Sequence, residues 1–241
     1  HPQWVAFVPE IDQDLARRDF TVNAMAYSPF RGFADPFGGQ NDLNDRILRA
    51  VGDPETRFSE DALRILRGVR FSAKYSLTPD HATLDAMKTL APLMDNLAHE
   101  RIFDELSKLL LCASAHDLTT FAPILAQAIP ELAPAIGFDQ HSHHHVYDVY
   151  THTAHVVEGV HAKLTLRWAA LLHDVTKALE PAGQLTLPGE YGMMLDEFSC
   201  SGGKNLVLTD ALLAQFCYKP QSRRVFYKQI EQYGINLVDA H

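Results

Sequence analysis

One short segment, residues 59–71, sets a carboxylate and three arginines at intervals of three residues: Asp61, Arg64, Arg67 and Arg70. On an α-helix this spacing places all four side chains on one slowly drifting stripe. The apolar residues between them fall on the opposite side, where they can bury the helix against a core. The segment therefore predicts an amphipathic helix whose polar face carries one carboxylate acceptor followed by three guanidinium donors.

Two interpretations of this polar face follow from its chemistry. An aspartate can accept a hydrogen bond from the exocyclic amine of cytosine or adenine, and an arginine can donate to the neighbouring ring acceptor. The next arginines can bind phosphates through paired hydrogen bonds. The alternative is a surface helix with ordinary ion pairs, each contributing only about 0.2–0.5 kcal/mol. The segment alone does not decide between a nucleotide site and a solvated helix face.

An earlier segment, residues 14–27, favours the nucleotide interpretation. Arg18 offers a phosphate donor, Asp19 an acceptor, and Asn23 an amide suited to sugar hydroxyls. A turn with paired glycines follows at residues 35–39. The predicted nucleotide-binding residues are Arg18, Asp19, Asn23, Asp61, Arg64, Arg67 and Arg70.

Taken in order, these segments resemble the class II CCA-adding enzymes and bacterial poly(A) polymerases, a family of RNA nucleotidyltransferases. The matching motifs are arginine-arginine-aspartate-phenylalanine-threonine followed by asparagine-alanine at 17–24, aspartate-proline and glycine-glycine at 35–39, and glutamate-aspartate with two arginines at 60–67. Residues 99–110 are similar to the neck motif of that family. Several multi-residue motifs in the family's order are far more specific than any one of them alone.

The resemblance implies an α+β fold that is predominantly α-helical. Residues 1–58 would form the C-terminal part of a nucleotidyltransferase head with a partial sheet. Residues 59–138 would form a helical neck that binds the base and RNA, and residues 139–241 an HD-like helical body. In the family, Asp61 and Arg64 would select the base without a template.

The resemblance also implies an activity and the partners of the protein. The expected reaction is CCA addition, which transfers CMP and AMP from CTP and ATP to a tRNA 3′ end and releases pyrophosphate. Poly(A) addition is the alternative within the family. Arg67 and Arg70 would support the pocket or contact phosphates, with a neck ion pair to Glu100 or Glu105 as the alternative for Arg70. Arg18, Asp19 and Asn23 would hold the triphosphate and the ribose.

Catalysis in this family depends on Mg²⁺ held by paired carboxylates that follow a Gly-rich loop. Neither the loop nor the carboxylate pair is visible in the sequence. Asp12 and Asp14 have the right spacing, but no Gly-rich turn precedes them, so we interpret them as flanking acidic residues. The expectation is a fragment of a longer enzyme, with a non-catalytic remnant that binds nucleotide or RNA as the alternative.

A second candidate site lies further along the chain, where eight of the thirteen histidines fall between residues 141 and 173. Residues 147–153 and 169–177 resemble the HD superfamily of metal-dependent phosphohydrolases. The resemblance implies that His152, His173 and Asp174 bind a divalent metal, with Asp239 as a candidate last ligand. Mixed nitrogen and oxygen donors suit Mg, Mn, Ni and related ions.

Two alternatives stay open for this second site. One is a phosphohydrolase that acts on phosphoester or cyclic phosphate ends. The other is a vestigial site in a scaffold, which is favoured by Thr176 standing where HD proteins usually have a glycine.

Composition adds a few exclusions. A net charge of −9 argues against a protein that coats nucleic acid through bulk positive charge, and DNA is not an expected partner. The sequence contains no run of about eighteen apolar residues, so it predicts no membrane span. Three scattered cysteines fit neither a disulfide framework nor a zinc site, so a cytoplasmic location is expected.

Local patterns predict where helices and strands begin. Short β-like runs occupy residues 4–8, 22–27 and 47–51, with turns between them. Helices are expected to start at residues 79–82 and 95–98. Residues 196–204, which contain paired glycines, are expected to form a loop or a disordered boundary.

Overall fold

The structure, a computed structural model, describes residues 10–138 and 147–174. The predictions for the strand at 4–8, the histidine tract at 141–145 and the loop at 196–204 lie outside the described residues. The same holds for Thr176 and Asp239.

Helices dominate the described part of the chain. The α-helices are α1 (Ile11–Leu15), α2 (Gly39–Asn44), α3 (Pro54–Glu60), α4 (Leu63–Tyr75), α5 (His81–Leu90), α6 (His99–Leu110), α7 (Ala115–Thr120), α8 (Ala122–Ala128), α9 (Val149–Gly159) and α10 (Leu164–Leu172). Short 3-10 helices span Thr21–Asn23, Ala91–Asn96 and Pro130–Ala135. The strands are β1 (Ala26–Ser28), β2 (Gly32–Ala34), β3 (Ile47–Leu48) and β4 (Thr78–Pro79). This mixture confirms the predicted α+β class with a predominance of helix.

The chain divides into two compact units, the first ending at Asp95 and the second beginning at Asn96. The predicted boundaries at 58/59 and 138/139 stay predictions.

Two small sheets form in the first unit. Strands β1 and β2 make an antiparallel hairpin in which Ala26 lies opposite Ala34. These two alanines pack against a buried cluster of Leu15, Ala24 and Val51, which fixes the inner face of the hairpin. Strands β3 and β4 pair in parallel.

The predicted strand at 22–27 was only partly right. Residues Thr21–Asn23 form a 3-10 helix, and the strand begins at Ala26. The run at 47–51 is likewise shorter than predicted, because β3 ends at Leu48 and Ala50 makes only an isolated bridge to Phe20.

The prediction of one continuous helix through residues 59–71 was wrong. Helix α3 ends at Glu60, Asp61 is extended, and α4 begins at Leu63. The carboxylate of Asp61 accepts a hydrogen bond from the backbone N–H of Leu63 at 3.1 Å, so it satisfies a free donor in the first turn of α4. Asp61 therefore does not share a helical stripe with the arginines. The apolar side of α4 is buried as predicted, with Ile65 fully inaccessible to solvent.

The predicted helix starts agree with the structure. Asp80 caps α5 by accepting from the N–H of Thr83 at 3.1 Å. Helix α6 starts at His99, where Ala98 occupies the cap position without a side-chain hydrogen bond.

Polar contacts join the helices of the second unit. The Trp168 indole on α10 stacks on Phe103 of α6 and donates a hydrogen bond to the hydroxyl of Ser107 at 3.0 Å. The hydroxyl of Tyr150 on α9 donates to the carbonyl oxygen of Leu118 on α7 at 3.0 Å. Burial raises the pKa of Tyr150, so this phenol stays protonated and remains a donor.

No helix within the described ranges is long and apolar enough to cross a membrane.

The paired-glycine turn is built around one carboxylate. Asp35 accepts from the backbone N–H groups of Gly39 at 2.7 Å and Gln40 at 2.9 Å, at the start of α2. Gly38 has a positive φ of 73°, which favours glycine. A Cβ on Gly39 would lie 2.1 Å from the carbonyl oxygen of Thr21, closer than any real contact. The second glycine lets α2 pack against the segment that contains Thr21.

We expect Gly39→Ala to destabilise the protein by at least about 1–3 kcal/mol, because the added methyl group must push backbone apart. Urea unfolding followed by circular dichroism measures the free energy of unfolding. Gly159→Ala is the control, since a Cβ there would meet no heavy atom within 4 Å. Equal stability of the two variants would contradict the close packing at Gly39.

Candidate nucleotide-binding site

Arg64 is held by three acceptors near the start of α4. Its Nη1 donates to the carbonyl oxygen of Arg57 at 2.9 Å and to Oε2 of Glu60 at 2.8 Å. Its Nη2 donates to the carbonyl oxygen of Arg17 at 3.2 Å. These bonds use three of the five N–H groups of the guanidinium, so two remain to donate elsewhere. The predicted base-binding arginine is thus fixed in place and still able to donate.

The carboxylate of Asp19 ties the arginine-arginine-aspartate segment to α4. Its Oδ1 accepts from the N–H of Phe20 and from Nδ2 of Asn23, both at 3.0 Å. Its Oδ2 accepts from Nε of Arg67 at 2.7 Å and lies 2.6 Å from Nη2 of the same guanidinium. Asp19 is 5% exposed. Both of its oxygens are engaged by protein donors, so its geometry is that of a structural clamp.

Arg18 is, like Arg17, an exposed donor of this segment. Half of its side chain is accessible, and its Nη2 donates to Oδ2 of Asp14 at 3.1 Å. Arg17 pairs with the other oxygen of Asp14. The hydrogen bond from Arg18 lowers the pKa of Asp14 below its usual value. These ion pairs agree with the interpretation of Asp14 as a flanking residue.

Asp61 lies three residues before Arg64 and contacts its backbone. The carbonyl oxygen of Asp61 accepts from the backbone N–H of Arg64 at 3.0 Å, while its carboxylate accepts from the backbone N–H of Leu63. Asp61 is partly accessible. Arg70, two turns further along α4, is 9% exposed and its guanidinium lies 4.6 Å from the ring centroid of Phe71.

The structure brings most of the predicted set together. Asp19, Asn23 and Arg67 are joined by direct hydrogen bonds, and Arg64 reaches the backbone next to Arg18. These contacts join the arginine cluster of Arg18, Arg64 and Arg67 through the segment at 17–23, and the partly accessible Asp61 lies at the start of the same helix. Such a cluster can bind an anionic ligand that also carries a hydrogen-bonding base.

Sequence reasoning missed the residues that support this cluster. Asp42 accepts from the hydroxyl of Thr21 at 2.7 Å and from Nε of Arg49 at 3.1 Å. Its hydrogen bond raises the pKa of Arg49, which also pairs with Asp80 at 2.7 Å. These contacts join residues far apart in sequence, so no local pattern indicated them.

Glu60 and Arg57 were also missed as partners of Arg64. Here a signal existed, because Glu60 lies four residues before Arg64 and three after Arg57, the spacings at which side chains of a helix meet.

In the second unit, the three predicted metal ligands lie together. Nε2 of His173 is 3.2 Å from Oδ2 of Asp174, and Nε2 of His152 is 3.7 Å from the same oxygen. The three potential ligand atoms all lie within 4.8 Å of one another. Nδ1 of His173 lies 2.7 Å from the carbonyl oxygen of Ala170. With a proton on Nδ1, that contact is a hydrogen bond and leaves the Nε2 lone pair for a ligand.

Comparison with known proteins finds similarity over two segments of the chain. Residues 1–49 match the family described as "Poly A polymerase head domain". Residues 76–136 match "Probable RNA and SrmB- binding site of polymerase A". The CCA-adding enzyme of Streptococcus gordonii is 51% identical over 110 residues, which cover 46% of this chain and 28% of that protein. The CCA-adding enzyme of Streptococcus pneumoniae is 50% identical over 110 residues, which cover the same shares of the two chains.

A solved structure agrees with these matches. The crystal structure of the Bacillus stearothermophilus CCA-adding enzyme in complex with CTP superposes with a TM-score of 0.50 at 25% identity. The match covers 94% of this chain and 61% of that one. The matched segments of this chain are thus similar to CCA-adding enzymes and to the head and RNA-binding segments of poly(A) polymerases. The chain matches only about a quarter of the length of the Streptococcus relatives.

We expect Asp19→Ala to destabilise the protein by about 2–3 kcal/mol, because Arg67, Asn23 and a backbone N–H all lose a charged acceptor. Asp14→Ala is the control, since it removes only exposed ion pairs and should leave stability almost unchanged. Urea unfolding of both variants gives the comparison. If the Asp19→Ala protein has the same free energy of unfolding as the control, the carboxylate of Asp19 contributes little to stability.

Proposed function

We propose that this chain is the nucleotide-selecting part of a template-independent RNA nucleotidyltransferase. The intact protein would add CMP and AMP from CTP and ATP to the 3′ end of tRNA, with release of pyrophosphate. The observation that carries this proposal is the junction at Asp61, where a partly accessible carboxylate precedes a fixed arginine. Similar proteins are named CCA-adding enzymes, and one similar solved structure is a complex with CTP. Poly(A) addition is the alternative within the same family.

Base selection follows from the order of donors and acceptors. Cytosine and adenine both present an amine donor next to a ring acceptor, which complements the carboxylate of Asp61 and the guanidinium of Arg64. Uracil and guanine reverse that order and would set an acceptor against Asp61. An unpaired buried partner costs about 1–3 kcal/mol, equivalent to roughly ten- to hundredfold discrimination.

The phosphates and sugar would meet the neighbouring segment. Arg18 is half-exposed and its guanidinium can turn from Asp14 to a phosphate, which it binds through paired hydrogen bonds. Asn23 is exposed and can reach a sugar hydroxyl. We assign Asp19 and Arg67 to positioning Arg18 and Asn23. Asp19 is therefore not assigned the direct ligand contact that the sequence predicted.

The chemistry of transfer would need Mg²⁺ on paired carboxylates. Asp14 is paired with Arg17 and Arg18, which does not suit a metal ligand. We therefore assign no catalytic magnesium ligand among the described residues. The proposed macromolecular partner is the 3′ end of a tRNA or another RNA, supported by the RNA-binding match over residues 76–136.

We expect Asp61→Ala and Arg64→Lys to lower the preference for CTP over UTP roughly ten- to hundredfold while changing overall triphosphate affinity much less. Calorimetric titration of the 241-residue chain with each nucleotide measures both quantities. Asp45→Ala, at an exposed carboxylate in the same unit, is the matched control. Unchanged selectivity in both Asp61→Ala and Arg64→Lys would rule out the base-selecting role.

A second candidate function rests on the cluster of His152, His173 and Asp174. Two imidazoles and a 4%-exposed carboxylate fit a divalent metal such as Mn²⁺ or Ni²⁺. These three residues would hold the ion, which would polarise a phosphoryl group and lower the pKa of bound water. The proposed activity is hydrolysis of phosphoester or cyclic phosphate ends, and a vestigial metal site is the alternative.

We expect saturating Ni²⁺ or Mn²⁺ to raise the melting temperature of the chain, since a ligand at a hundred times its dissociation constant stabilises by about 2.7 kcal/mol. His173→Ala should abolish the shift. His155→Ala is the control, because this exposed histidine on α9 faces Glu158 and lies outside the cluster. A metal shift that persists in His173→Ala would place metal binding elsewhere.

A further inference from the structure

We propose that Arg57 is a positioning residue that sets the orientation of Arg64 and thereby the strength of base selection. This inference rests on the proposed function. Its basis is a set of hydrogen bonds that converge on the end of α3.

Arg57 provides one of the two acceptors that hold Nη1 of Arg64 and contacts the other. Its backbone carbonyl oxygen is one acceptor of that nitrogen, at 2.9 Å. Its Nη1 donates at 2.9 Å to Oε2 of Glu60, the other acceptor. Its Nε donates to the carbonyl oxygen of Val51 at 3.2 Å, which anchors the side chain to the segment before α3. Arg57 therefore links a fixed backbone site to the residue that selects the base.

The helix break at Asp61 makes this support necessary. In one continuous helix the carbonyl oxygen of Arg57 would accept the backbone N–H of Asp61. Because α3 ends at Glu60, that carbonyl belongs to the last turn and needs another donor. The guanidinium of Arg64 supplies it. The contact holds Arg64 across the junction.

Two guanidinium groups share one carboxylate oxygen in this arrangement. Nη1 of Arg57 and Nη1 of Arg64 lie 2.9 Å and 2.8 Å from Oε2 of Glu60. The side chain of Glu60 is 47% exposed, whereas those of Arg57 and Arg64 are 14% and 18% exposed. The exposed glutamate is thus held by the more buried Arg57. Without Arg57, Glu60 is free to turn and form a two-bond pair with Arg64, which would draw the guanidinium away from the base.

The test is the selectivity of the 241-residue chain, given as the ratio of the dissociation constants for UTP and CTP from calorimetric titration. Arg57→Met should lower this ratio about tenfold and leave CTP affinity within about threefold, because no phosphate contact is removed. Arg57→Lys should restore most of the ratio, since an ammonium can still hold Glu60. Arg31→Met, the same change at an exposed arginine of the same unit, should leave the ratio unchanged.

The outcomes separate this inference from the proposed function. A wild-type chain that does not prefer CTP over UTP overturns the proposed function and the role of Arg57 with it. A selective wild-type chain with an equally selective Arg57→Met variant overturns only the role of Arg57. Thermal unfolding of each variant identifies a folding defect. If Arg57→Met is unfolded, Arg57→Leu replaces it, because it also removes the side-chain donors to Glu60 and Val51, and unchanged selectivity in that variant overturns the role equally.

Discussion

The buried carboxylate of Asp19 is the interaction on which the nucleotide site depends. It lies in a turn between α1 and a 3-10 helix, neither of which is long enough to be stable alone. Four donors from three different residues meet its two oxygens, and two of those donors come from Arg67, forty-eight positions along the chain. Removing a charge from water is costly unless the charge is paired and hydrogen-bonded, and the carboxylate of Asp19 is both. This carboxylate is therefore a main link between the short segment and α4.

The break at Asp61 places the base-selecting residues at the end of one helix and the start of the next. A helix end presents unpaired carbonyls, and a helix start presents unpaired N–H groups. The structure uses Arg64 to satisfy the first kind and the carboxylate of Asp61 to satisfy the second. The residues proposed to select the base thus also hold the two helices in their relative orientation. Base selection and the local fold share the same hydrogen bonds.

Sequence patterns predicted the residues of the site better than their geometry. The spacing of Asp61, Arg64 and Arg67 suggested one helical stripe, because a three-residue interval carries no information about where a helix is interrupted. The cap at Asp80 was predictable, since the aspartate directly precedes the helix it caps. The buried chain from Thr21 through Asp42 to Arg49 was not, because it depends on tertiary packing. The cluster of His152, His173 and Asp174 was indicated by a resemblance, and the structure brings its members together.

An acidic chain can hold an anionic ligand if protein acceptors orient an arginine side chain without using all of its N–H groups. The net charge of −9 opposes nucleotide binding at long range, so the local arrangement must carry the attraction. A guanidinium has five N–H groups in a rigid plane. Arg64 uses three of them on protein acceptors, which orient the group without exhausting it. A lysine at position 64 has only three donors on a rotating ammonium, so holding it equally well would leave nothing for a base. The carboxylates and carbonyls around the site therefore do not compete with the ligand for arginine, but fix the direction in which arginine donates to it.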